Sequence, residues 1–224
     1  MLVRVVFEMS SPVILTDPLH LDAIITAVHP DAVDTTLVRT MDAKGSIKGL
    51  PLPLERAGLP ASWVWCASAA YFPDTAKPFS GKYCRRKDEY DADWLGKNVM
   101  TIGGIYKNRV ASASGVATPE VCFLAVPTDA DELLALCRKI QGLGRLRASG
   151  YGMIRGVRLE RVTRDWRDAL VYAGKAMRTL PAEMLTSPAD KSVRIRPPYW
   201  ARTDRVEGAE PGDEAVLSPE VELC

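Results

Sequence analysis

Residues 121–162, VCFLAVPTDADELLALCRKIQGLGRLRASGYGMIRGVRLERV, decide the fold. The apolar run VCFLAVP suits a core strand. Asp129 then caps a helix over ADELLALCRKIQ, whose Leu133, Leu136, Cys137 and Ile140 recur on one face, and Gly142 ends it. In MIRGVRLERV, Ile154, Val157, Leu159 and Val162 alternate with arginines, which predicts a strand with one wet, basic face and a bulge at Gly156.

Working towards the N-terminus, LVRVVFE (2–8) is β-branched and aromatic, as a strand that begins the main sheet should be. Thr16-Asp17-Pro18 leads into LHLDAIITAVH, which predicts a helix over 18–29 capped by Asp17 and buried through Leu21, Ile24, Ile25 and Val28. WVWCASAAYF (63–72) reads as a core strand carrying Trp63, Trp65 and Tyr71. Glycines and prolines punctuate 31–60 into loop or short strands. Residues 73–120 read as an insertion holding a hairpin or small subdomain, with Thr101 to Tyr106 and Arg109 to Ala113 as candidate strands. Together these elements give a β-α-β-β-α-β plan, an α+β fold of ferredoxin-like (RRM-like) type with a C-terminal extension. The extension starts with a short helix from Trp166 to Met177 and passes RIRPPYW, where Tyr199 and Trp200 cover either the core edge or a partner subunit. The reading is one domain over 1–203, followed by a flexible acidic tail over 204–224.

Composition narrows the function. The chain has 224 residues and 47% hydrophobic content, enough for a packed core without staples. Its five cysteines are odd in number and never fall in a CxxC or CxH spacing, so they read as reduced, buried thiols in a cytoplasmic protein, with no metal and no cofactor. No apolar stretch approaches the ~20 residues that span a bilayer, and MLVRVVFEMSSPVIL lacks a cleavage site, which argues against membrane and export. Net charge is only +1, but nine basic residues fall between Arg138 and Arg167 against Glu160 and Asp165. From Asp204 to Cys224 there are seven acids against Arg205 alone. The first segment suits a phosphate backbone and the second does not.

Gly142, Gly144, Gly150 and Gly152 form G-x-G-x5-G-x-G around Arg145, Arg147, Ser149 and Tyr151, with Arg155 just beyond. Glycine lets a phosphate approach backbone N–H groups, arginine matches phosphate geometry, and tyrosine stacks on an unpaired base. A dinucleotide fingerprint needs its glycines between strand and helix, the reverse of the order here, and no GK[ST] supports a phosphate loop of the nucleotide-hydrolysing kind. Solvated arginines on a plain helix-to-strand connection remain the competing reading. The run Arg85, Arg86, Lys87, flanked by Tyr83 and Tyr90, is a second RNA-contact candidate, although Asp88, Glu89, Asp91 and Asp93 balance it.

GLGRLRASGYGMIRGVRLE, following an amphipathic helix, resembles the glycine-rich loop of the CRISPR RAMP superfamily of repeat-associated RNA-binding proteins. Within it, SPVILTDPLHLDAIITA and IRPPYW resemble the type IV effector subunit that holds the 5′ handle of the guide RNA, the fifth Cas family. The likeness covers 1–30 and 120–200. It implies a non-catalytic subunit that caps a filament of backbone subunits beside the large subunit, bound to crRNA and close to target DNA at the flanking motif, with 73–120 as a thumb-like element. The alternative is an endoribonuclease of the same fold that processes the repeat RNA, with His20 as acid or base. A third reading, a globular protein with no nucleic-acid role, rests on the near-zero net charge. Only His20 and His29 exist as histidine candidates, and His29 at a helix end reads as structural.

Overall fold

The computed structural model describes residues 1–31, 50–59, 62–85, 109–197, 199 and 205–224. Thr101 to Tyr106, Arg86, Lys87, Tyr90, the acids from Asp88 to Asp93 and Trp200 lie outside the described residues. The described residues form a mixed α+β structure, rich in strands and with few helices.

Its centre is β1 (Val3–Met9), flanked by β6 (Glu120–Ala125) and β7 (Ile154–Arg161), both antiparallel to it. β6 and β7 therefore run parallel, joined across one sheet face by the helix Ala130–Arg138, here α2. Asp129 caps α2 as expected, accepting from the N–H groups of Asp131 and Glu132. Beyond β6 the chain Cys66 to Tyr71 adds an irregular fourth strand, bridged at Ala67↔Ala125 and Tyr71↔Cys122. There Ser68 serves twice: its N–H donates to the Leu124 carbonyl and its hydroxyl accepts the Leu124 N–H, both at 2.8 Å. The antiparallel order is β7, β1, β6, then 66–71.

Period-2 alternation sorts the sheet faces. Val3, Val5, Phe7 and Met9 meet Val121, Phe123 and Ala125 on the helical side, under Leu21, Ile24 and Ile25 of α1 (Leu21–Thr26) and Leu133, Leu136 and Cys137 of α2. Phe7 and Phe123 pack edge to face at 5.7 Å. A second cluster joins Leu2, Leu124 and Val126 to Leu170, Leu180, Met184 and Val193 in the C-terminal region.

The opposite face corrects the expected basic strand. Glu8 and Glu120 are register partners that would repel each other. Arg158 of β7 reaches Glu8 (2.9 Å), Glu120 (2.6 Å) and Glu160 (2.8 Å), and Arg4 pairs with Glu160. Hydrogen bonding to Glu120, then to Glu160, raises the Arg158 pKa. Partial burial opposes ionisation of Glu160, but hydrogen bonds from Arg158 and Arg4 prevail and lower its pKa. This surface is charged yet balanced. The bulge does fall at Gly156: the register passes from Glu8↔Gly156 to Met9↔Ile154, leaving Arg155 as the extra residue.

Three further expectations change. α1 starts at Leu21 with His20, not Asp17, at its N-cap, because Leu19 and His20 stay extended against Ala69 and Ala70. In place of a helix from Trp166 to Met177 there is one 3-10 turn, Trp166–Ala169, then a hairpin of β8 (Val171–Tyr172) and β9 (Lys175–Ala176). Residues 205–224 are built into the fold: β12 (Val206–Ala209) pairs with β10 (Leu180–Pro181) and β11 (Lys191–Val193). β13 (Glu222–Leu223) adds to the hairpin of β2 (Arg56–Leu59) and β3 (Ser62–Trp65), while Ala209, Ala215 and Val221 are buried. Small apolar residues spaced among the acids anchor this segment. Trp65 is buried, and Trp63 lies beneath Arg56 and Arg196, each 4.4 Å from its ring.

Arg178 is wholly buried and ties the two clusters together. Its guanidinium donates to the carbonyls of Trp65, Ala67 (3.0 Å), Thr179 (3.2 Å) and Ile195 (2.8 Å), to Asp22 (3.2 Å) and to the Tyr199 hydroxyl (2.8 Å). Tyr199 in turn donates to Asp22 at 3.0 Å, so it does help close the core. Burial pushes Asp22 above the ordinary carboxylate range despite Arg178, whereas burial is outweighed at Arg178, which stays charged through Tyr199 and Asp22. Arg178→Met strands a buried carboxylate and a set of carbonyls, so urea unfolding should show a loss of about 3–5 kcal/mol. A loss below about 1 kcal/mol would contradict this account.

Candidate nucleic-acid interface

Ser10 to Ile14, leaving β1, is clamped on two sides. On one side Val13 exchanges both backbone hydrogen bonds with Val116 of β5 (Arg109–Ala117), which forms a long hairpin with β4 (Lys77–Arg85). On the other side lies the glycine loop: Arg145 N–H donates to the Ile14 carbonyl and Gly152 N–H to the Pro12 carbonyl, both at 2.8 Å. Leu143 N–H donates to the Gly152 carbonyl at 2.8 Å and closes the loop into a ring.

Most of these glycines therefore serve protein backbone, not an incoming phosphate. A Cβ on Gly152 (φ +67) would lie 1.9 Å from the Leu143 carbonyl, and one on Gly144 (φ +76) would lie 2.4 Å from that of Ile14. Gly142 packs beneath the aliphatic stem of Arg147. Gly150 differs: its φ is +84 and the space beside it is open. Between Leu146, itself left-handed at φ 59, and Gly150, a single 3-10 turn Arg147–Ser149 stands out as an exposed crest.

Arg147 and Ser149 are exposed on this crest, and Arg145 is exposed just before it. Tyr151 is half-buried, its ring 5.8 Å from Phe79 and its hydroxyl against Gly81, so it fastens the loop to β4 rather than standing free as a stacking platform. Arg155 is 72% exposed and only 3.4 Å from Glu8. Arg85 ends β4, and Arg86 and Lys87 lie outside the described residues.

Between α1, the chain from Ile14 to Leu19 and the glycine loop lies a cleft of about 540 Å³. Ile24, Ala27, Val28 and Leu143 give it an apolar floor, and Lys139, Arg145 and Arg147 a basic rim against one acid, Asp17. Arg145 also borders a smaller cleft of about 240 Å³, shared with Tyr83, Ser112 and Ser114 of the hairpin. Sequence reasoning found the two arginines but not the role of Lys139 or of Leu15 and Thr16 beside them. A basic residue ending the helix next to the glycines was the available signal.

His20 does not belong to this cleft. It is 4% exposed and stacks on Tyr199 at 4.4 Å with rings 9° apart, and its Nδ1 is buried without a partner among the described residues. Burial, reinforced by Arg178, lowers its pKa to about 3, so the ring is neutral and ill suited to trade protons near neutral pH. His29 is held structurally, its Nδ1 accepting the Asp31 N–H at 3.2 Å. Cys66 and Cys137 are buried thiols pushed up to about 12 by desolvation. Among the described residues no group of three His, Cys, Asp or Glu side chains is placed to hold a metal ion, and no helix is long and apolar enough to cross a membrane. No known family model matches the chain, and no curated protein matches it significantly.

Two outcomes follow. Gly150→Ala meets only the left-handed backbone penalty of about 1–2 kcal/mol, whereas Gly152→Ala also drives a methyl into a carbonyl, so its thermal unfolding should fall well below that of Gly150→Ala. His20 binds its proton more weakly folded than unfolded, so it adds stability that is complete above about 6.5 and lost as pH falls towards about 3. The gap in urea midpoint between wild type and His20→Gln should therefore shrink from pH 7 to pH 4; a constant gap would remove His20 from the acid response.

Proposed function

We propose that this chain is a non-catalytic RNA-binding subunit of a type IV CRISPR ribonucleoprotein, one that caps the 5′ handle of the guide RNA and assembles with backbone and large subunits in the cytoplasm. The observation that carries the reading is the cleft beside the glycine loop: an apolar floor for unstacked bases under a basic rim of Lys139, Arg145 and Arg147. Its support from connectivity is the order β7, β1, β6, 66–71, with a helix after the first strand and another after β6, read here as a ferredoxin-like core. The hairpin of β4 and β5, beside the loop, is read as the thumb-like element. In such an assembly base pairing by the guide reads the target and the protein supplies backbone contacts.

Arg145→Ala/Arg147→Ala tests the reading. Titrated by fluorescence anisotropy against a labelled 20-nucleotide single-stranded RNA at 0.1 M salt, the double variant should bind at least tenfold more weakly than wild type. Its slope of log affinity against log salt should flatten by about 1.4, the share of two single-strand phosphate contacts. Wild-type affinity and slope in the variant would overturn the proposal, and shortening of labelled repeat RNA by wild type would replace it with an endoribonuclease.

A further inference from the structure

At the far end of β7 from the glycine loop a second surface joins cations to an aromatic ring. The eight residues of β7, Ile154–Arg161, lie between the two, a strand length of about 26 Å at ~3.3 Å per residue. The sheet face between them is neutralised by Glu8, Glu120 and Glu160. Past β7 the chain turns into the β8–β9 hairpin, whose register sets Tyr172 directly opposite Lys175. The two-residue turn between them is left-handed at both positions, Ala173 at φ 49 and Gly174 at φ 74. Positive φ at both positions is what a two-residue hairpin turn needs, and the carbonyl of Gly174 accepts the Ala215 N–H at 2.9 Å, so the tip is held in place by the C-terminal segment while its side chains stay exposed.

Arg164 lays its guanidinium 4.7 Å from the Tyr172 ring centroid, yet the tyrosine remains 40% exposed. Neither Arg164 nor Lys175 forms a salt bridge among the described residues, although Glu214 pairs with Lys175 through the backbone. Asp165, the acid next to Arg164, is committed to the Arg167 N–H and lies 3.7 Å from that residue's guanidinium.

We propose that the hairpin tip Tyr172 to Lys175, with Arg164, is a second contact surface for single-stranded nucleic acid. An unpaired base stacks on the open part of the Tyr172 ring, with Arg164 stiffening that ring from the other side and Lys175 meeting an adjacent phosphate. The class of ligand rests on the RNA-binding reading above; the site does not share a residue with the glycine loop.

The same anisotropy assay, with 20-nucleotide oligouridine as probe, separates the two. Tyr172→Ala should weaken binding at least fivefold, Tyr172→Phe should keep wild-type affinity because the ring and not the hydroxyl stacks, and Arg164→Ala/Lys175→Ala should flatten the salt slope. Each loss should persist in the Arg145→Ala/Arg147→Ala background, and ultraviolet cross-linking should place RNA on Tyr172. If Tyr172→Ala and Arg164→Ala/Lys175→Ala bind within twofold of their parents in both backgrounds, the second surface falls while the glycine-loop cleft stands. If only these variants lose binding, the cleft falls and the hairpin stands. Absence of binding by wild type overturns both.

Discussion

A single guanidinium sets the arrangement of the molecule. Arg178 lies where α1, the turn from β3 into the fourth strand and the C-terminal segment converge, and each supplies an oxygen to it. The carbonyls of Trp65 and Ala67 face inward where the strand is irregular, so they have no full ladder of partners there. Arginine suits the position because its five donors in a fixed plane can serve several acceptors at once, which a lysine ammonium cannot do with the same geometry. Burying the charge is costly, and the surrounding oxygens, together with Asp22, offset that cost. The C-terminal region is thereby fixed against α1 through defined atoms as well as through apolar contact.

The clamped segment Ser10 to Ile14 plays a comparable part on the opposite flank. By pairing with β5 on one edge and the glycine loop on the other, it makes hairpin and loop two sides of one short ladder. The basic crest is held on a rigid base, and only the turn Arg147–Ser149 projects beyond it. Tyr151 adds a second tie by packing on Phe79. Side chains presented in this way would lose little backbone freedom on meeting any ligand.

How much of this was legible depended on whether the signal was local. β1, β6, α2 and β7 followed from apolar periodicity and the Asp129 cap, and the structure has them within a residue or two at most ends. The glycine loop was visible as a motif, but the reason for its glycines was not. Those at 144 and 152 answer to the carbonyls of Ile14 and Leu143, and the first of these is distant in sequence. The basic face expected of β7 failed for the same reason, since the acids that neutralise it reside on β1 and β6 as well as on β7 itself. The acidic C-terminus read as flexible because its charge density masked Ala209, Ala215 and Val221, each of which finds a buried place only once the rest of the fold exists. Arg178 carried no sequence signal at all: nothing around it distinguishes a buried arginine from a wet one.

The position of β1 also governs when this protein can become stable. It is the central strand of the sheet, yet its neighbours β6 and β7 come more than a hundred residues later in the chain. Asp22 waits still longer for its partner, since 156 residues separate it from Arg178. At translation rates of roughly 5–20 residues per second the 122 residues from Val3 to Ala125 leave the strand without either neighbour for about 6–24 s. Contacts so distant along the chain also slow the search for the native pairing. The early strand, apolar and open at both edges, is then the segment most exposed to pairing with the wrong chain.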